Sequence, residues 1–267
     1  CAIAHNGNLT NAAALRRELI ERGSIFQSSS DSECIIHLMA RSMQKTLAER
    51  IKDALRAVEG AFSVIAMTRT KLIGVRDPLG VRPLVLGKVG DGHVLSSETC
   101  ALDIIGAEFV REIEPGEMVV IEKGVVQSSH PFAPASPRFC IFEHVYFSRP
   151  DSIIGGRSVY ETRRQIGVEL AKEAPVGADL VCPVPDSGTP AAIGYSEQSG
   201  IPFAFGIIRS ANHRATSPNN TPPNSDAAHH LQHWHDVSHF WASIKPGQRT
   251  TQRAIKPLAL ATCRGLH

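Results

Sequence analysis

Three residues near the start of this sequence, Asn6, Gly7 and Asp31, offer groups that could do chemistry. A side-chain amide and a glycine N–H can donate hydrogen bonds to a developing negative charge, and a carboxylate can pair with an ammonium group. Each residue also has a purely structural interpretation when it is taken alone. Asn-Gly between apolar residues favours a hairpin turn, and an acidic residue before an apolar run favours the start of a helix.

A second polar string, Pro-Asp-Ser-Gly-Thr-Pro, occupies residues 185–190 and contains Ser187 and Gly188. It lies between a run that predicts a strand over 180–184 and one that predicts a helix over 191–199. Such a loop can cradle phosphate groups with its backbone N–H groups beside a helix N-terminus. The alternative is an ordinary turn between strand and helix, where Pro, Ser and Gly are common for backbone reasons.

Apolar periodicity predicts the elements that would position the first three residues. Residues 2–5 indicate a short strand that the Asn-Gly pair then turns, and a helix follows over about 11–22. A capping-box pattern at 30–33 starts further helical spacing that ends at Gly60. Strand-like runs come next, at residues 62–67, 72–76, 84–86, 93–96 and 118–122. Helices followed by strands predict a layered α+β domain over residues 1–127.

The remainder of the chain divides into three parts. Residues 128–137 contain three prolines and three serines, which predicts a linker. Residues 138–209 predict a helix over 159–171, followed by a strand, a loop, a helix and a second strand over 203–208, which begins a parallel α/β sheet. Residues 211–267 hold seven of the twelve histidines, both tryptophans and no glutamate. We therefore predict that residues 210–267 are unrelated to the sheet, and are either disordered or the product of a frameshift.

Composition excludes several classes of function. A formal net charge of +2 on 267 residues gives no reason to expect nucleic acid as a partner. No apolar run approaches the 18 or so residues of a membrane span, so no membrane partner is expected. Six cysteines are widely spread without a Cys-x-x-Cys pair. This usage predicts reduced thiols in a cytoplasmic protein rather than a disulfide framework or a zinc site.

Six strings resemble the amidophosphoribosyltransferases, which belong to the N-terminal-nucleophile (Ntn) glutamine amidotransferases. They occur in the order of that family, and the resemblance extends over about residues 2–209. The strings are Ala-His-Asn-Gly-Asn-Leu-Thr-Asn at 4–11, Arg-Asp-Pro-Leu-Gly-Val-Arg-Pro-Leu at 76–84, Ser-Ser-Glu-Thr-Cys-Ala-Leu at 96–102, Glu-Pro-Gly-Glu at 114–117, Phe-Glu-His-Val-Tyr-Phe-Ser-Arg-Pro-Asp-Ser at 142–152, and Pro-Val-Pro-Asp-Ser-Gly-Thr-Pro-Ala-Ala-Ile-Gly-Tyr at 183–195.

The resemblance implies both a fold and a reaction. The fold is a partial αββα glutaminase domain of the Ntn-hydrolase type, followed by the start of an α/β type I phosphoribosyltransferase domain. The reaction is the first step of de novo purine biosynthesis. It moves ammonia from glutamine to phosphoribosyl pyrophosphate (PRPP) and gives phosphoribosylamine, glutamate and pyrophosphate. Glutamine and PRPP are the implied substrates, and the intact family forms homo-oligomers.

The resemblance also implies roles for individual residues. The Asn6 side chain and the Gly7 N–H would stabilise the oxyanion of amide hydrolysis, and Asp31 would pair with the α-ammonium group of glutamine. Gly188 would bind the pyrophosphate of PRPP, and Ser187 would lie near a Mg²⁺ ion that bridges phosphate oxygens.

Two further family features concern cofactor and nucleophile. Cys140 stands where some members place an iron–sulfur ligand, but four thiolates are normally needed, so a buried thiol is the preferred interpretation. The family's nucleophile is a cysteine that opens a Cys-Gly segment far upstream of the His-Asn-Gly string. Cys1 is not expected to replace it, because five residues of extended chain span roughly 17 Å. A nucleophile and its oxyanion donors must reach one reacting atom within about 3 Å.

We therefore expect this chain by itself to be inactive. The ribose-phosphate loop of the family is also not matched by residues 210–267. One alternative is a non-catalytic fragment that binds glutamine. Another is a different Ntn amidotransferase such as a hexosamine-forming enzyme, against which the loop at 185–190 argues.

Overall fold

The computed structural model describes residues 1–208, which form two compact units that divide between Val159 and Tyr160. The tail predicted at 210–267 lies outside the described residues. The predicted domain limits at 127, 138 and 209 stay predictions. Among the described residues, no helix is both long and apolar enough to cross a membrane.

The first unit contains four α-helices, ten strands and one π-helix. In chain order these are β1 (Ala2–Leu9), α1 (Ala12–Glu21), α2 (Ser32–Arg41), α3 (Leu47–Arg56), β2 (Gly60–Met67), β3 (Lys71–Arg76), β4 (Val85–Val89), β5 (Gly92–Ser96), α4 (Thr99–Ile104), β6 (Glu108–Glu112), β7 (Met118–Glu122), β8 (Val125–Ser129), the π-helix (Glu143–Phe147), β9 (Ile153–Ile154) and β10 (Arg157–Ser158). Helices precede most strands, as the sequence predicts for an α+β domain.

An antiparallel five-stranded sheet in the order β1-β2-β3-β7-β8 organises this unit. Side chains alternate between its faces, as strand geometry requires. Phe62 and Val64 point into a core that Ile35, Ile51 and other residues of α2 and α3 cover. Strand β1 lies at one edge of the sheet, and within residues 1–208 it has a partner strand, β2, on one side only.

The opposite face of the sheet packs on a second, three-stranded sheet in the order β5-β4-β6. Leu84, Leu86 and Leu95 meet Val119 and Ile121 of β7 there. Helix α4 packs on this smaller sheet through Leu102, which joins residues such as Val85 in a separate small core.

The described part of the second unit, up to residue 208, contains two helices, α5 (Val159–Glu173) and α6 (Thr189–Ser199). Ala192 and Tyr195 of α6 and Ala171 of α5 are buried in a small core with Val181. The two helices approach closely, because a Cβ on Gly167 or Gly194 would meet the carbonyl oxygen of the facing helix at 1.8 or 2.0 Å. Glycine at these two positions therefore sets the spacing of the helix pair.

The strands predicted at 180–184 and 203–208 are reduced to a single parallel bridge between Val181 and Phe203. Val181 N–H donates to the Pro202 carbonyl at 2.8 Å, and Ala204 N–H donates to the Val181 carbonyl at 3.1 Å. Prolines at 183, 185 and 202 lack the N–H that a longer ladder needs. The parallel direction agrees with the prediction, and the predicted strand lengths were wrong.

The turn predicted at Asn6-Gly7 is also wrong. Strand β1 runs through both residues and pairs with β2 in unbroken register from Ala2–Met67 to Leu9–Gly60. The physical reason is long-range pairing. Asn-Gly favours a local hairpin only when the neighbouring segment supplies the partner strand, and here the partner lies more than 50 residues later in the chain.

The helix start predicted near residue 30 is confirmed, whereas the capping box there is not. The Glu33 carboxylate accepts hydrogen bonds from Gln27 N–H and from the N–H and hydroxyl of Ser28, at 2.6–2.8 Å. The capping box of this region lies at Thr46 and Glu49 instead, and it begins α3. The helical run predicted to continue to Gly60 is therefore two helices with a break at residues 42–46.

Six elements had no counterpart in the prediction, namely α4, β6, β8, the π-helix, β9 and β10. Within the described residues, strand β6 pairs with β4 alone and is mostly exposed, so it lacks an alternating apolar pattern. Strand β8 follows a tight turn at Lys123-Gly124, where both residues have positive φ. It ends at Ser129, so the first two residues of the predicted linker belong to a strand.

A buried carboxylate beside β7 gives a test of this fold. Glu117 is 1% exposed, and it accepts hydrogen bonds from both Arg111 Nη atoms at 2.8 and 2.6 Å. It also accepts from the Ser128 hydroxyl and the Glu114 N–H. Burial by itself would raise the pKa of Glu117, but these donors outweigh it and lower the pKa from the usual 4.5 to about 2.

We expect this carboxylate to make folding stability depend on acid. Because its folded-state pKa lies below the unfolded value, its contribution is complete above about pH 4.5 and is lost as the pH falls toward 2. At pH 3 the loss from this group amounts to about 2 kcal/mol. Urea unfolding at pH 6 and pH 3 should show a smaller pH dependence in Glu117→Gln than in the wild type. The matched control is Glu122→Gln, which removes an exposed pair with Lys71 and should keep the wild-type pH dependence. Equal pH dependence in Glu117→Gln and the wild type would contradict the assignment.

Candidate functional site

The Asn6 side chain is held in one orientation by Arg82. Asn6 Oδ1 accepts hydrogen bonds from Arg82 Nε at 3.1 Å and from Arg82 Nη2 at 2.6 Å. A guanidinium group only donates, so the amide atom that faces it is the oxygen. Among residues 1–208 nothing accepts a hydrogen bond from Asn6 Nδ2. The two N–H bonds of this amide are therefore available to a ligand.

The backbone conformation and the lack of space for a side chain both require glycine at position 7. Its φ is 148°, and a Cβ at this position would lie 2.0 Å from the Ala61 carbonyl oxygen. Its register partner on β2 is Phe62, whose C=O accepts from Asp77 N–H and whose N–H donates to Asp77 Oδ2. Phe62 thus directs both backbone groups away from β1, which makes Gly7–Phe62 a non-hydrogen-bonded pair.

The Gly7 N–H consequently points to the outer edge of β1, where the described residues place no strand. Leu9, two residues later, confirms this direction, because its N–H donates to Asp31 Oδ2 at 3.0 Å and not to β2. Successive N–H groups alternate along a strand, so those of Gly7 and Leu9 share one edge.

Asp31 stands at the start of α2 but does not cap it. Besides Leu9 N–H, it meets the Ser32 hydroxyl at 3.3 Å, and its side chain is 27% exposed. Its Oδ1 lies 3.7 Å from Nδ1 of His5, which is also within 3.0 Å of the Ser32 hydroxyl. Burial lowers the pKa of His5, and the nearby Asp31 opposes part of that shift. The structure therefore brings Asn6, Gly7 and Asp31 together at the edge of β1.

Arg82 is itself fixed by the π-helix and the residue that follows it. Its Nη1 lies 2.8 Å from Glu143 Oε1, and its guanidinium carbon lies 4.6 Å from the centre of the Phe147 ring. The Ser148 hydroxyl donates to the other oxygen of Glu143 at 2.8 Å. Burial raises the pKa of the Glu143 carboxyl, and Arg82 and Ser148 offset part of that shift.

No role was predicted from the sequence for Arg82, Glu143 or His5. All three lie inside the family strings, so those strings were the available signal. A side-chain contact between residues 6 and 82, or 82 and 143, has no local pattern from which it could be predicted.

Ser187 and Gly188 lie in the second unit, in the loop before α6. Gly188 occupies the N-cap position of that helix, and its carbonyl accepts from Ala192 N–H at 3.0 Å. A Cβ on Gly188 would lie 2.7 Å from the Val184 carbonyl oxygen, so the loop folds back tightly. Thr189 N–H donates to the Asp186 carbonyl at 3.3 Å, and Pro190 has no N–H. Among the described residues, the N–H groups that this helix start leaves for an anion are therefore those of Gly188 and Ala191.

Metal ligands are scarce in residues 1–208. No group of three His, Cys, Asp or Glu ligand atoms forms there around Cys140 or Ser187. The one such group consists of Glu114, Glu117 and His130, and the Arg111 guanidinium already occupies both Glu117 oxygens. Cys140 is a free, partly buried thiol. These residues do not by themselves fit an iron–sulfur cluster, which takes four thiolates.

Comparisons with known proteins show which families this chain is similar to. A glutamine amidotransferase domain family matches residues 1–103. An amidophosphoribosyltransferase from Rhizobium etli is 54% identical over 213 residues, which cover 78% of this chain and 43% of that protein. The Bacillus subtilis amidophosphoribosyltransferase is 47% identical over 208 residues and is covered to 44% of its length. The chain therefore spans less than half the length of these curated relatives.

Solved structures give the same result for the fold. The glutamine PRPP amidotransferase from B. subtilis, complexed with ADP and GMP, superposes with a TM-score of 0.75 at 44% identity. That match covers 86% of this chain and 50% of the solved chain. A second structure, described as the allosteric regulatory enzyme of purine biosynthesis, gives a TM-score of 0.74, also at 44% identity. Over the residues that these comparisons cover, the chain is similar to the amidophosphoribosyltransferases.

Proposed function

We propose that this chain is part of an enzyme that transfers ammonia from glutamine to PRPP. Glutamine and water give glutamate and ammonia. The ammonia then forms a bond to C1 of the ribose as the bond from C1 to pyrophosphate breaks, which yields phosphoribosylamine. The observation that carries the proposal is the pair of unused donors, Asn6 Nδ2 and Gly7 N–H, beside the Asp31 carboxylate at the edge of β1.

Amide hydrolysis needs the donors that this edge offers. Attack on the glutamine amide converts its carbonyl oxygen to an oxyanion, which fixed donors stabilise more than they stabilise the starting carbonyl. Asn6 Nδ2 would supply one donor and the Gly7 backbone the other. Glycine suits this position because a side chain there would collide with Ala61. None of the six cysteines of this sequence is proposed as the attacking thiol. Cys1 is an exposed free cysteine next to the start of β1.

Asp31 would select glutamine over simple amides. Its carboxylate is 27% exposed and has one backbone donor, Leu9 N–H, which leaves room for the α-ammonium group of the substrate. Such a charge-assisted contact is about twice as strong as a neutral hydrogen bond. The layer order of the first unit, helices on a sheet, a second sheet and then α4, supports an Ntn-type αββα fold.

The second unit would bind PRPP. The bridge between Val181 and Phe203 and the intervening helix α6 support a βαβ start of a type I phosphoribosyltransferase domain. The N–H groups of Gly188 and Ala191 would hold pyrophosphate oxygens. Mg²⁺ typically binds through substrate phosphates and few protein ligands, so the Ser187 hydroxyl fits it as one ligand. Bound there, the ion would neutralise charge on the leaving pyrophosphate. We further propose a cytoplasmic homo-oligomer, as in the intact family.

Asp31→Asn tests the glutamine site separately from the PRPP site. In the full-length protein, this change should lower glutamine-dependent turnover at subsaturating glutamine by about 10- to 100-fold, chiefly through a higher KM. Ammonia-dependent turnover should change little. Asparagine keeps an oxygen for the Leu9 N–H, so the local fold is preserved.

Asp53→Asn is the matched control, because Asp53 only accepts a hydrogen bond from Ser42 on a neighbouring segment. It should leave both activities at the wild-type level. An equal loss with glutamine and with ammonia in Asp31→Asn would refute the role of Asp31. Absence of both activities in the wild-type full-length protein would refute the proposed function itself.

A further inference from the structure

Arg82 has the contacts of a residue that orients another side chain. Its Nε and Nη2 both donate to Asn6 Oδ1. These two donors occupy both lone pairs of that oxygen. A 180° flip of the side-chain amide would point its own N–H bonds at the guanidinium group, which has no acceptor, so the flipped orientation is disfavoured. The position of Nδ2 follows directly from this arrangement.

The guanidinium group is in turn fixed on its remaining sides. Glu143 Oε1 lies 2.8 Å from Nη1, and the Phe147 ring lies against the guanidinium plane at 4.6 Å. The Arg82 carbonyl accepts from the Ser63 hydroxyl at 3.0 Å and from Arg76 Nε at 2.9 Å. Ser63 is the register partner of Asn6 on β2, so the backbones at both ends of the contact are tied to the same sheet.

The low exposure of the Arg82 and Glu143 charges indicates that their ion pair is not an incidental surface contact. The Arg82 side chain is 17% exposed and that of Glu143 only 2%. Pairs with so little exposure are costly to desolvate, and replacing them with apolar residues often stabilises a protein. An arginine that holds an amide oxygen does something that an apolar residue could not do.

We propose that Arg82 is a positioning residue for the Asn6 amide, held in place by Glu143, and that it acts on glutamine hydrolysis only through Asn6. This inference rests on the proposed function of Asn6 as an oxyanion donor. Because oxyanion stabilisation depends on preorganised donors, a freely rotating Asn6 would retain its N–H groups but lose part of their effect. Arg82 would then affect kcat and have little influence on glutamine binding.

A double-mutant cycle on the full-length protein tests the proposal, with glutamine hydrolysis as the readout. Arg82→Met removes every donor while keeping a long side chain, and it should lower kcat by about 10- to 100-fold with KM changed by less than about threefold. Asn6→Ala should lower kcat further. The double variant should equal Asn6→Ala within about twofold, since Arg82 has nothing left to orient. Arg82→Lys, which offers a single nitrogen, should fall between Arg82→Met and the wild type.

Arg111→Met is the matched control, because it removes the arginine from another buried carboxylate of the same unit, that of Glu117. It should lower the urea unfolding midpoint and leave the ratio of glutamine-dependent to ammonia-dependent turnover at the wild-type value. If Arg82→Met fails to fold, Glu143→Gln takes its place in the cycle and should give a smaller, equally non-additive loss.

Two outcomes would overturn the proposal while the proposed function stands. One is a double variant whose loss is the product of the two single losses. The other is an Arg82→Met enzyme with a raised KM and unchanged kcat. A wild-type protein that hydrolyses no glutamine would instead remove the proposed function and this inference with it.

Discussion

Replacing Asn6 with alanine is expected to slow glutamine hydrolysis by about 100- to 1,000-fold in the full-length protein, the range seen when one oxyanion donor is removed. The loss should appear in kcat, because the donor serves the transition state more than the bound substrate. The structure gives the reason. Arg82 holds the amide oxygen, and Nδ2 is left for a ligand. Steady-state glutamate release measures the effect.

Asn6→Asp separates loss of the donor from loss of the Arg82 contact. A carboxylate still accepts from Arg82 but has no N–H to give, so this variant should be at least as slow as Asn6→Ala. The control is Asn11→Ala. The Asn11 amide donates to the Ala57 carbonyl and accepts from Glu59 N–H, which is a structural role only. If Asn6→Asp kept wild-type kcat, Asn6 would not be an oxyanion donor.

Gly7→Ala is expected to have the largest effect on stability. The added Cβ would lie 2.0 Å from the Ala61 carbonyl oxygen and 2.9 Å from His5 Nε2, at a φ of 148° that side chains rarely adopt. Strain and collision together should lower the free energy of unfolding by about 4 kcal/mol or more. That is a large share of the roughly 5–15 kcal/mol that stabilises a typical domain. Urea unfolding followed by circular dichroism measures the change.

Gly23→Ala provides the comparison for Gly7→Ala. Gly23 also has a positive φ, of 88°, but an added Cβ would meet nothing within 4 Å. Gly23→Ala should therefore lower the free energy of unfolding only by the cost of a side chain at positive φ, about 1 kcal/mol. Similar losses in the two variants would mean that β1 and β2 do not approach as closely at Gly7 as the structure has them.

Local pattern predicted the regular elements well where each one buries an apolar stripe or face. Strand β7 has its predicted bounds, and the helix predicted at 11–22 occupies Ala12–Glu21. In both elements, the spacing of the apolar residues and the residues that mark the ends lie within the segment or beside it, so local sequence is enough to predict them. Strand β6 was missed because it is exposed and pairs at a sheet edge, so its residues carry no alternation.

The site shows the same division between local and long-range information. The family resemblance selected Asn6, Gly7 and Asp31 as site residues, and the structure places them at one edge of β1. Their roles stay predictions. The contact between Asn6 and Arg82 joins positions 76 residues apart. No spacing rule connects such positions, because the sheet and the loop after β3 bring them together only after folding.

In the proposed reaction, nitrogen moves from the side-chain amide of glutamine to the ribose of PRPP. The full-length protein, given PRPP, Mg²⁺ and glutamine labelled with ¹⁵N in the side-chain amide, tests it most directly. We expect glutamate and pyrophosphate to appear in equal amounts, and the label to be found bonded to ribose C1. Glutamate release without pyrophosphate, or pyrophosphate release with no label on the ribose, would contradict the account.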